Sequence, residues 1–378
     1  MIVIDTGDIP LLDLAASHEQ VRPELDEAWK LVTTTNAFVG GDFVDRFESE
    51  FASYCGATHC VGVGSGTDAL ELILAELGIG AGDEVIVPAN TFIATAAAIV
   101  AVGATPIFVD VDADTLLVTA DAVEAAITAA TAALIVVHLY GQTPDMTALR
   151  RVAEQHGLAL LEDAAQAHGA AWEGRRAGAL SHAAAFSFYP AKNLGAFGEA
   201  GAVVTDDADL ADRVRTRANH GRTESSHHIH PVLGRNSRLD ALQAAILSVK
   251  LPHLDDWNAR RRRAAARYRT LLGDTSCHPV RIHPLATPVC HLEVVRVRAR
   301  DRLLPELTSR GIGWGLHYPI PCHRQEAFAR YASGPLPVAE QTAHEVVSLP
   351  MFPTISECQI ERVCEAVLAA MERTADAA

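Results

Sequence analysis

The segment Phe186-Ser-Phe-Tyr-Pro-Ala-Lys192-Asn-Leu-Gly-Ala-Phe-Gly-Glu-Ala-Gly201 carries one of only three lysines in this 378-residue chain. Apolar, strand-like runs flank it at Ala183–Phe188 and Ala202–Thr205. Closely spaced glycines let a backbone approach a ligand, and a lysine at a strand end among them is typical of an amine that forms a Schiff base with an aldehyde. The other two lysines, Lys30 and Lys250, are expected on the surface.

Short β-rich runs alternate with helix-like stretches from about Asp83 onward. The β-rich runs are Glu84–Val87, Pro106–Val109, Ala133–Val137, Leu158–Leu161, Ala183–Phe188 and Ala202–Thr205. The helix-like stretches include Thr91–Val102, Ala120–Ala130 and Asp145–His156. This alternation predicts an α/β fold, in which helices cover both faces of a mostly parallel sheet and ligands bind at the carboxyl ends of its strands. Asp163 and Lys192 both follow such ends.

The sequence changes character after Asp240, where a long, charge-dense helical stretch begins. A smaller α/β unit follows from Ser276, so we expect a large domain over residues 1–250 and a small C-terminal domain over residues 251–378. The helical stretch contains four consecutive arginines, Arg260–Arg263. Because adjacent residues point around a helix, these arginines are expected to form a solvated face rather than an anion site.

Composition limits the possible partners and compartments. The chain has 31 Lys and Arg residues against 47 Asp and Glu residues, which argues against nonspecific binding to nucleic acid or to an anionic membrane. Its seven cysteines form no CxxC pair, which is typical of reduced thiols and predicts a cytoplasmic protein. No apolar run reaches the roughly 20 residues that span a bilayer.

Three histidines, His227, His228 and His230, lie close together in one stretch. Histidine is a common zinc ligand, but no fourth ligand is evident nearby. We therefore expect a polar, substrate-facing loop and no metal.

Two further motifs carry groups that bind ligands. Gly62-Val-Gly-Ser-Gly-Thr-Asp68 precedes a helix-like stretch, where backbone N–H groups and the helix dipole favour a phosphate. Leu160-Leu-Glu-Asp163 ends a strand in two acids, and a carboxylate there can keep a ring nitrogen protonated. Taken singly, these motifs also fit a glycine-rich helix start and a capping acid. With Lys192 they supply a phosphate cradle, an acid and an amine, which are the groups that bind pyridoxal 5'-phosphate (PLP).

The chain resembles the sugar aminotransferases of the DegT/DnrJ/EryC/StrS family, within the fold-type I aspartate aminotransferase superfamily. The resemblance covers nearly the whole chain and rests on the segments Gly64–Leu70, Asp83–Pro88, Glu162–Gln166, Ser187–Gly195, Gly234–Ala245 and His317–Pro319. It implies a large domain built on a mostly parallel seven-stranded sheet and a smaller C-terminal α/β domain. Among the branches of the family, the chain looks most like the nucleotide-sugar 3-aminotransferases.

The resemblance also implies a role for each matching residue. Lys192 would form the Schiff base with PLP, and Asp163 would pair with the pyridine nitrogen. The residues implied around the rest of the cofactor are Gly66, Thr67 and Ser187 at the phosphate, Gln166 near the ring hydroxyl, and Phe92 over the ring. A core phenylalanine at a helix start is an equally simple interpretation of Phe92.

Other roles implied by the resemblance concern the substrate and a second subunit. Asn236 would reach the cofactor phosphate of the neighbouring subunit, which predicts a homodimer with shared active sites. Tyr189, His317 and Tyr318 would line the sugar pocket. Two departures from the family pattern are Ala200, in place of a usual glycine, and the histidine stretch at 227–230, where several relatives have a Lys-Tyr pair.

Related dehydratases carry histidine in place of the lysine, so Lys192 favours amino transfer. We expect glutamate to donate the amino group, the pyridoxamine form of the cofactor to carry it, and a nucleotide-linked keto-deoxyhexose to accept it. The acceptor is expected to be a dTDP-3-keto sugar of amino-sugar and antibiotic biosynthesis. Alternatives are a 4-keto-sugar or cyclitol aminotransferase, a PLP-dependent dehydratase and a noncatalytic PLP-binding regulator.

Overall fold

A computed structural model describes residues 2–4, 8–223, 228–273, 275–298, 300–332 and 334–375. His227, the first histidine of the 227–230 stretch, lies outside the described residues. No helix within the described part of the chain is long and apolar enough to cross a membrane. All seven cysteines are free thiols, and Cys358 alone of the seven is exposed.

The larger lobe is built on a seven-stranded sheet with the strand order β2-β10-β9-β6-β5-β3-β4. Its strands are β2 (His59–Val63), β3 (Glu84–Pro88), β4 (Thr105–Val109), β5 (Thr131–Val137), β6 (Ala159–Asp163), β9 (Ala183–Ser187) and β10 (Gly201–Thr205). Strand β10 runs antiparallel to both of its neighbours, and the other pairings are parallel. The expected mostly parallel, seven-stranded sheet is therefore confirmed, and β2 is the strand that the alternation after Asp83 does not include.

Helices cover both faces of this sheet because its side chains alternate between two apolar layers. One layer packs Val61, Val63 and Val203 with other residues against α4 and α5, and the opposite layer packs Phe186 and Ala202 against α3 and α9. The helices of this lobe are α1 (Leu14–Glu19), α2 (Arg22–Thr35), α3 (Asp42–Cys55), α4 (Gly66–Glu76), α5 (Ile93–Ala101), α6 (Ala120–Glu124), α7 (Met146–His156), α8 (Ala208–Ala218) and α9 (Ala241–Lys250). Helix α6 ends earlier than the predicted Ala120–Ala130, because Thr128 and Thr131 form a turn that leads into β5.

The smaller lobe contains a five-stranded sheet with the order β1-β14-β15-β13-β11. Its strands are β1 (Ile2–Ile4), β11 (Cys277–Pro279), β13 (Glu293–Val297), β14 (Trp314–Leu316) and β15 (Val346–Leu349), and its helices are α10 (Leu254–Leu272), α11 (Arg300–Ser309), α12 (Pro337–Glu345) and α13 (Glu357–Ala375). A third small sheet joins β7 (Ala171–Trp172), β8 (Arg175–Arg176) and β12 (Ala286–Thr287). Strand β1 pairs antiparallel with β14, so the first residues of the chain complete a sheet made otherwise of C-terminal strands. The division at residue 250 stays a prediction.

Two expectations about basic residues are wrong. Arg261 is buried and donates a hydrogen bond to the carbonyl oxygen of Met351 at 3.0 Å, because it shares the inward stripe of α10 with Trp257 and Tyr268. Only part of the arginine run is therefore a solvated face. Lys250 was expected on the surface, but its side chain lies in the interior, with 2% of the residue exposed.

Candidate active site

Three chain segments converge at the carboxyl ends of β2, β6 and β9, and β10 lies between β2 and β9. Helix α4 begins just after β2, Asp163 is the last residue of β6, and Ser187 is the last residue of β9. Strands β6 and β9 pair in parallel, with Asp163 opposite Ala185. Parallel strands bring their carboxyl ends to one edge of the sheet, which is where the sequence predicts the ligand.

The start of α4 forms a tight cradle against the end of β9. Ser65 caps the helix, and its hydroxyl oxygen accepts a hydrogen bond from the N–H of Asp68 at 3.1 Å. The N–H groups of Gly66 and Thr67 belong to the first turn, so no carbonyl of the helix can accept from them. A Cβ atom on Gly66 would lie 2.7 Å from the Cβ of Ser187, which leaves no space for any residue but glycine. These N–H groups and the Ser187 hydroxyl are thus brought together in a site that suits an anion.

Asp163 is held as a hydrogen-bond acceptor. Its Oδ2 accepts from the hydroxyl of Thr95 at 2.7 Å, and its Oδ1 accepts from the N–H of Ala165 at 3.2 Å. The hydroxyl of Thr91 lies 2.8 Å from that of Thr95 and continues the chain of hydrogen bonds. Donors on both oxygens stabilise the ionised carboxylate, as a partner of a protonated ring nitrogen requires.

The neighbouring acid, Glu162, points to the other side of the sheet. Its carboxylate is buried and accepts from the N–H groups of Gly178 and Leu180 at 2.9 and 3.0 Å, while its Oε2 lies 2.8 Å from His138 Nε2. Successive side chains of a strand face opposite ways, so only one of two adjacent acids can face the ligand. Glu162 instead fastens the segment that leads into β9.

Lys192 lies in a turn just beyond β9, where its N–H donates to the carbonyl oxygen of Tyr189 at 2.8 Å. Its side chain is partly buried, and this desolvation lowers the pKa of the amine from 10.5 to about 8, although the Asp163 charge acts in the opposite direction. The ammonium makes no hydrogen bond within the part of the chain that the structure describes. An amine with a lowered pKa and no fixed partner is available to attack an aldehyde.

Gln166, Tyr318 and Phe92 form one wall of the site. The amide of Gln166 accepts from the N–H of Tyr140 at 2.6 Å and donates to the hydroxyl of Tyr318 at 3.2 Å. The rings of Phe92 and Tyr318 lie 5.7 Å apart between centroids. Phe92 is 47% exposed, so it is not a core residue and its ring is open to a ligand or a partner.

Two buried histidines border the site as neutral rings. Burial and, secondly, the Lys192 charge lower the pKa of His317 to about 3, and its Nδ1 lies 2.7 Å from the hydroxyl of Ser348. The same two causes lower the pKa of His168 to about 3, and its Nε2 lies 2.9 Å from the carbonyl oxygen of Ser187. Neither ring adds positive charge near the lysine at neutral pH.

Two of the predicted residues make no described side-chain contact with this cluster. Tyr189 is 45% exposed and is held through its backbone: its N–H donates to the Ser187 hydroxyl at 3.3 Å, and its carbonyl oxygen accepts from the N–H of Lys192 at 2.8 Å. Asn236 is exposed, and its side-chain oxygen accepts from Arg238 at 3.1 Å. The hydroxyl of the next residue, Ser237, accepts a hydrogen bond from the N–H of Gly64 at 3.1 Å. Asn236 therefore lies beside the phosphate cradle but not in it.

The described part of the histidine stretch makes a backbone contact. His230 Nδ1 lies 2.8 Å from the carbonyl oxygen of His220. Among the described residues, no three or more His, Cys, Asp or Glu side chains are grouped so as to hold a metal ion.

Sequence reasoning missed two residues of the site, Thr95, which contacts Asp163, and Tyr140, which contacts Gln166. Thr95 follows Phe92 by three residues, one helical turn, so a hydroxyl on the same face of α5 was the available signal. Tyr140 gave no signal, because its N–H reaches Gln166 through a left-handed backbone conformation (φ 62°) that the sequence does not announce.

The side chains present fit PLP group by group. The cradle at Gly66, which a Cβ would fill, suits the phosphate, and Asp163 with donors on both oxygens suits a pyridinium N–H. The Lys192 amine, with its lowered pKa, suits the aldehyde. This set of complementary groups is what PLP requires.

Residues 19–368 match the model of the DegT/DnrJ/EryC1/StrS aminotransferase family. The chain belongs to this family. The enzymes of the family depend on PLP. One solved relative is NtdA from Bacillus subtilis with bound cofactor PMP, which has a TM-score of 0.87 at 30% identity. The match covers 93% of this chain and 82% of the NtdA chain. The expected family and cofactor are confirmed.

Two curated relatives align with nearly the whole chain. One, from Saccharopolyspora erythraea, is named erythromycin biosynthesis sensory transduction protein EryC1 and is 50% identical over 352 residues, which are 92% of this chain and 96% of the relative. The other, from Streptomyces venezuelae, is named dTDP-3-amino-3,4,6-trideoxy-alpha-D-glucose transaminase and is 48% identical over 98% of both chains. The crystal structure of S. venezuelae DesV in complex with a ketimine intermediate has a TM-score of 0.93 at 48% identity, covering 96% of this chain and 98% of DesV.

Proposed function

We propose that the chain is a PLP-dependent aminotransferase that moves the amino group of glutamate to C3 of a dTDP-linked keto-deoxyhexose. The observation that carries the proposal is the Lys192 amine, placed beside Asp163 with its pKa lowered to about 8 and no hydrogen bond among the described residues. The transaminase name of the S. venezuelae relative supports the sugar class.

When bound, PLP supplies an electron sink that makes the carbon bearing the amino group acidic. The residues of the chain position it and move protons. Asp163 would hold the proton on the ring nitrogen, and the first turn of α4 with Ser187 would anchor the phosphate. The Lys192 amine would take the proton from the donor carbon and later return one to the sugar carbon. A pKa of about 8 suits this exchange, because both forms of the amine are populated near neutral pH.

The apolar surface supports a homodimer. Large side chains that belong in interfaces are left in solvent, among them Trp29, Phe38 and Val39 with 53%, 48% and 56% exposure. Leu233, three residues before Asn236, is 91% exposed. A second copy of the chain would cover these groups and bring Asn236 to the partner's phosphate cradle.

Subunit mixing tests the shared site. Dimers of Lys192→Ala subunits and dimers of Asn236→Ala subunits should each be impaired. When the two variants are refolded together, a mixed dimer has one site in which both Lys192 and Asn236 are intact. Activity should therefore be restored in the mixed dimers. Size-exclusion chromatography must show the dimer in every sample. If mixing restores nothing above the sum of the separate proteins, Asn236 does not act across subunits.

The substrate assignment is tested with purified enzyme, PLP, glutamate and a panel of nucleotide-linked 3-keto sugars, 4-keto sugars and cyclitol ketones. We expect one 2-oxoglutarate per aminated sugar, measured by coupled assay and by mass spectrometry. Amination of a 4-keto sugar or a cyclitol ketone alone would replace the C3 assignment. Loss of a hydroxyl without formation of 2-oxoglutarate would indicate a dehydratase.

A signalling or regulatory role is favoured by the names of two relatives, the S. erythraea protein and a pleiotropic regulatory protein of Geobacillus stearothermophilus that is 44% identical over 95% of this chain. Binding of PLP without any turnover across the panel would support it against catalysis. Our prediction of a cytoplasmic location rests on the seven free thiols, which a reducing compartment preserves.

A further inference from the structure

Lys250, the last residue of α9, is a buried lysine close to the active-site turn. Its ammonium donates to the carbonyl oxygen of Gly195 at 2.6 Å and lies 3.0 Å from His18 Nε2. It also lies 4.5 Å from the ring centroid of Phe197. Burial lowers the pKa of Lys250 to about 7 and that of His18 to about 4, so the neutral His18 ring can accept the hydrogen bond.

Gly195 belongs to the turn that carries Lys192. The turn closes on itself, because the N–H of Ala196 donates to the carbonyl oxygen of Phe188 at 2.8 Å. Gly195 packs closely against Pro190 within the same turn: a Cβ atom on Gly195 would lie 2.3 Å from the carbonyl oxygen of Pro190. In the described part of the chain, Lys250 is the hydrogen-bond donor to the Gly195 carbonyl. The ammonium therefore ties this turn to α9.

The turn has a second attachment at Asn193, the residue after Lys192. The side-chain amide of Asn193 donates to Asn258 at 2.8 Å and to the carbonyl oxygen of Val289 at 3.1 Å. Lys192, Lys250 and the two attachment residues all border one cavity of about 30 Å³. Such a cavity holds no more than about two water molecules, so the turn has space to shift if one attachment is lost.

We propose that Lys250 is a positioning residue for amino transfer: through the Gly195 carbonyl, its side-chain amino group fixes the turn that aims the Lys192 amine at its target. This inference rests on the proposed function, since it assigns Lys192 the proton transfers. The described side-chain contacts of Lys250 are with His18, Gly195 and Phe197. Its contribution is geometric, and displacement of a reacting group by about 1 Å can cost 10²-fold in rate.

Lys250→Met tests the proposal, because methionine keeps the length of the side chain and loses the donor. Lys30→Met is the matched control, since Lys30 is an exposed lysine on α2. We expect kcat per folded Lys250→Met molecule to fall by roughly ten-fold to 10²-fold, with KM for the sugar within about twofold. Lys30→Met should match the wild type in both constants.

A second readout needs no cofactor and no turnover. The apoenzyme is labelled at each pH with a trace amine reagent, and peptide mass spectrometry follows Lys192 against the exposed Lys30. In the wild type the reactivity of Lys192 should rise with a midpoint near pH 8. In Lys250→Met a loosened turn admits water, and we expect the midpoint to move upward toward that of an ordinary lysine.

A purely structural lysine would give a different result. A Lys250→Met protein that melts earlier but keeps wild-type kcat and the wild-type labelling midpoint overturns the proposal. If that variant does not fold, Lys250→Gln decides, because its neutral side chain is one bond shorter and draws back from the Gly195 carbonyl: unchanged kcat and midpoint there also overturn the proposal. Should the wild type aminate no sugar, the proposed function fails, and the labelling midpoints alone still test the tie between Lys250 and Lys192.

Discussion

Replacing Gly66 with alanine tests the cofactor cradle directly. The added Cβ would lie 2.7 Å from the Cβ of Ser187, 3.2 Å from its Cα and 3.4 Å from the carbonyl oxygen of Phe186. Contacts below 3.0 Å require movement of one side. Ser187 has little freedom, because β9 is paired with β6 on one edge and with β10 on the other. The first turn of α4 must therefore move.

The size of the effect follows from this overpacking. Forcing one extra methyl group into a packed site typically costs about 1–3 kcal/mol. If the helix start takes up the strain, the N–H groups of Gly66 and Thr67 move away from the phosphate position. The dissociation constant of PLP would then rise by roughly five-fold to 150-fold, which is the same energy expressed as affinity. The apoenzyme should also unfold at a lower temperature.

The assay is equilibrium dialysis of PLP against purified apoenzyme, with thermal unfolding measured on the same samples. Gly80→Ala is the matched control, since the nearest atom to its added Cβ is the carbonyl oxygen of Val102 at 3.3 Å, away from the site. Gly80→Ala should bind PLP like the wild type. If Gly66→Ala binds PLP with wild-type affinity, the start of α4 does not hold the phosphate and the cradle is wrongly assigned.

Two other predictions concern Asp163 and Glu293. Thr95→Val removes the hydrogen bond that Asp163 accepts at 2.7 Å, and it should lower kcat/KM by roughly ten-fold to 100-fold. Thr95→Ser keeps the hydroxyl and should stay near the wild type. Equal activity of both variants would contradict the role of that hydroxyl. Burial raises the pKa of Glu293 from 4.5 to about 7. Between these two pH values the folded protein keeps a proton that the unfolded chain has released. The free energy of unfolding therefore falls as the pH rises from about 4.5 through 7. Glu293→Gln should therefore raise the melting temperature more at pH 8 than at pH 5, and an equal effect at both values would show that Glu293 keeps an ordinary pKa.

Local sequence was enough to find the strands of the central sheet that follow Asp83, because each is a short apolar run bounded by polar residues and turns. It was not enough for the length of α6. Alanines favour a helix throughout Ala120–Ala130, but the turn at Thr128 and Thr131 and the start of β5 end the helix at Glu124. A local preference of a few tenths of a kcal/mol per residue yields to strand pairing of this kind.

The family motifs predicted most of the candidate site. Gly66, Asp163 and the pair Ser187 and Lys192 come from three separate segments, and the structure brings them to one sheet edge, as the order of parallel strands requires. The side chains of Asn236 and Tyr189 make no described contact with these four residues in a single chain. Their predicted roles depend on the partner subunit and on the sugar, so one subunit alone does not decide them.

The sequence by itself determined the fold class and the family and predicted the reactive amine, because these depend on residue type and on order along the chain. The resemblance selected Asp163 over Glu162, and the tertiary structure gave the physical reason: Glu162 is bound on the opposite face, since a shift of one position along a strand reverses the face. It also showed that Lys250 is buried beneath the turn of Lys192, although its sequence neighbours give no sign of it. Burial and contact arise from segments far apart in the chain, and local sequence does not encode them.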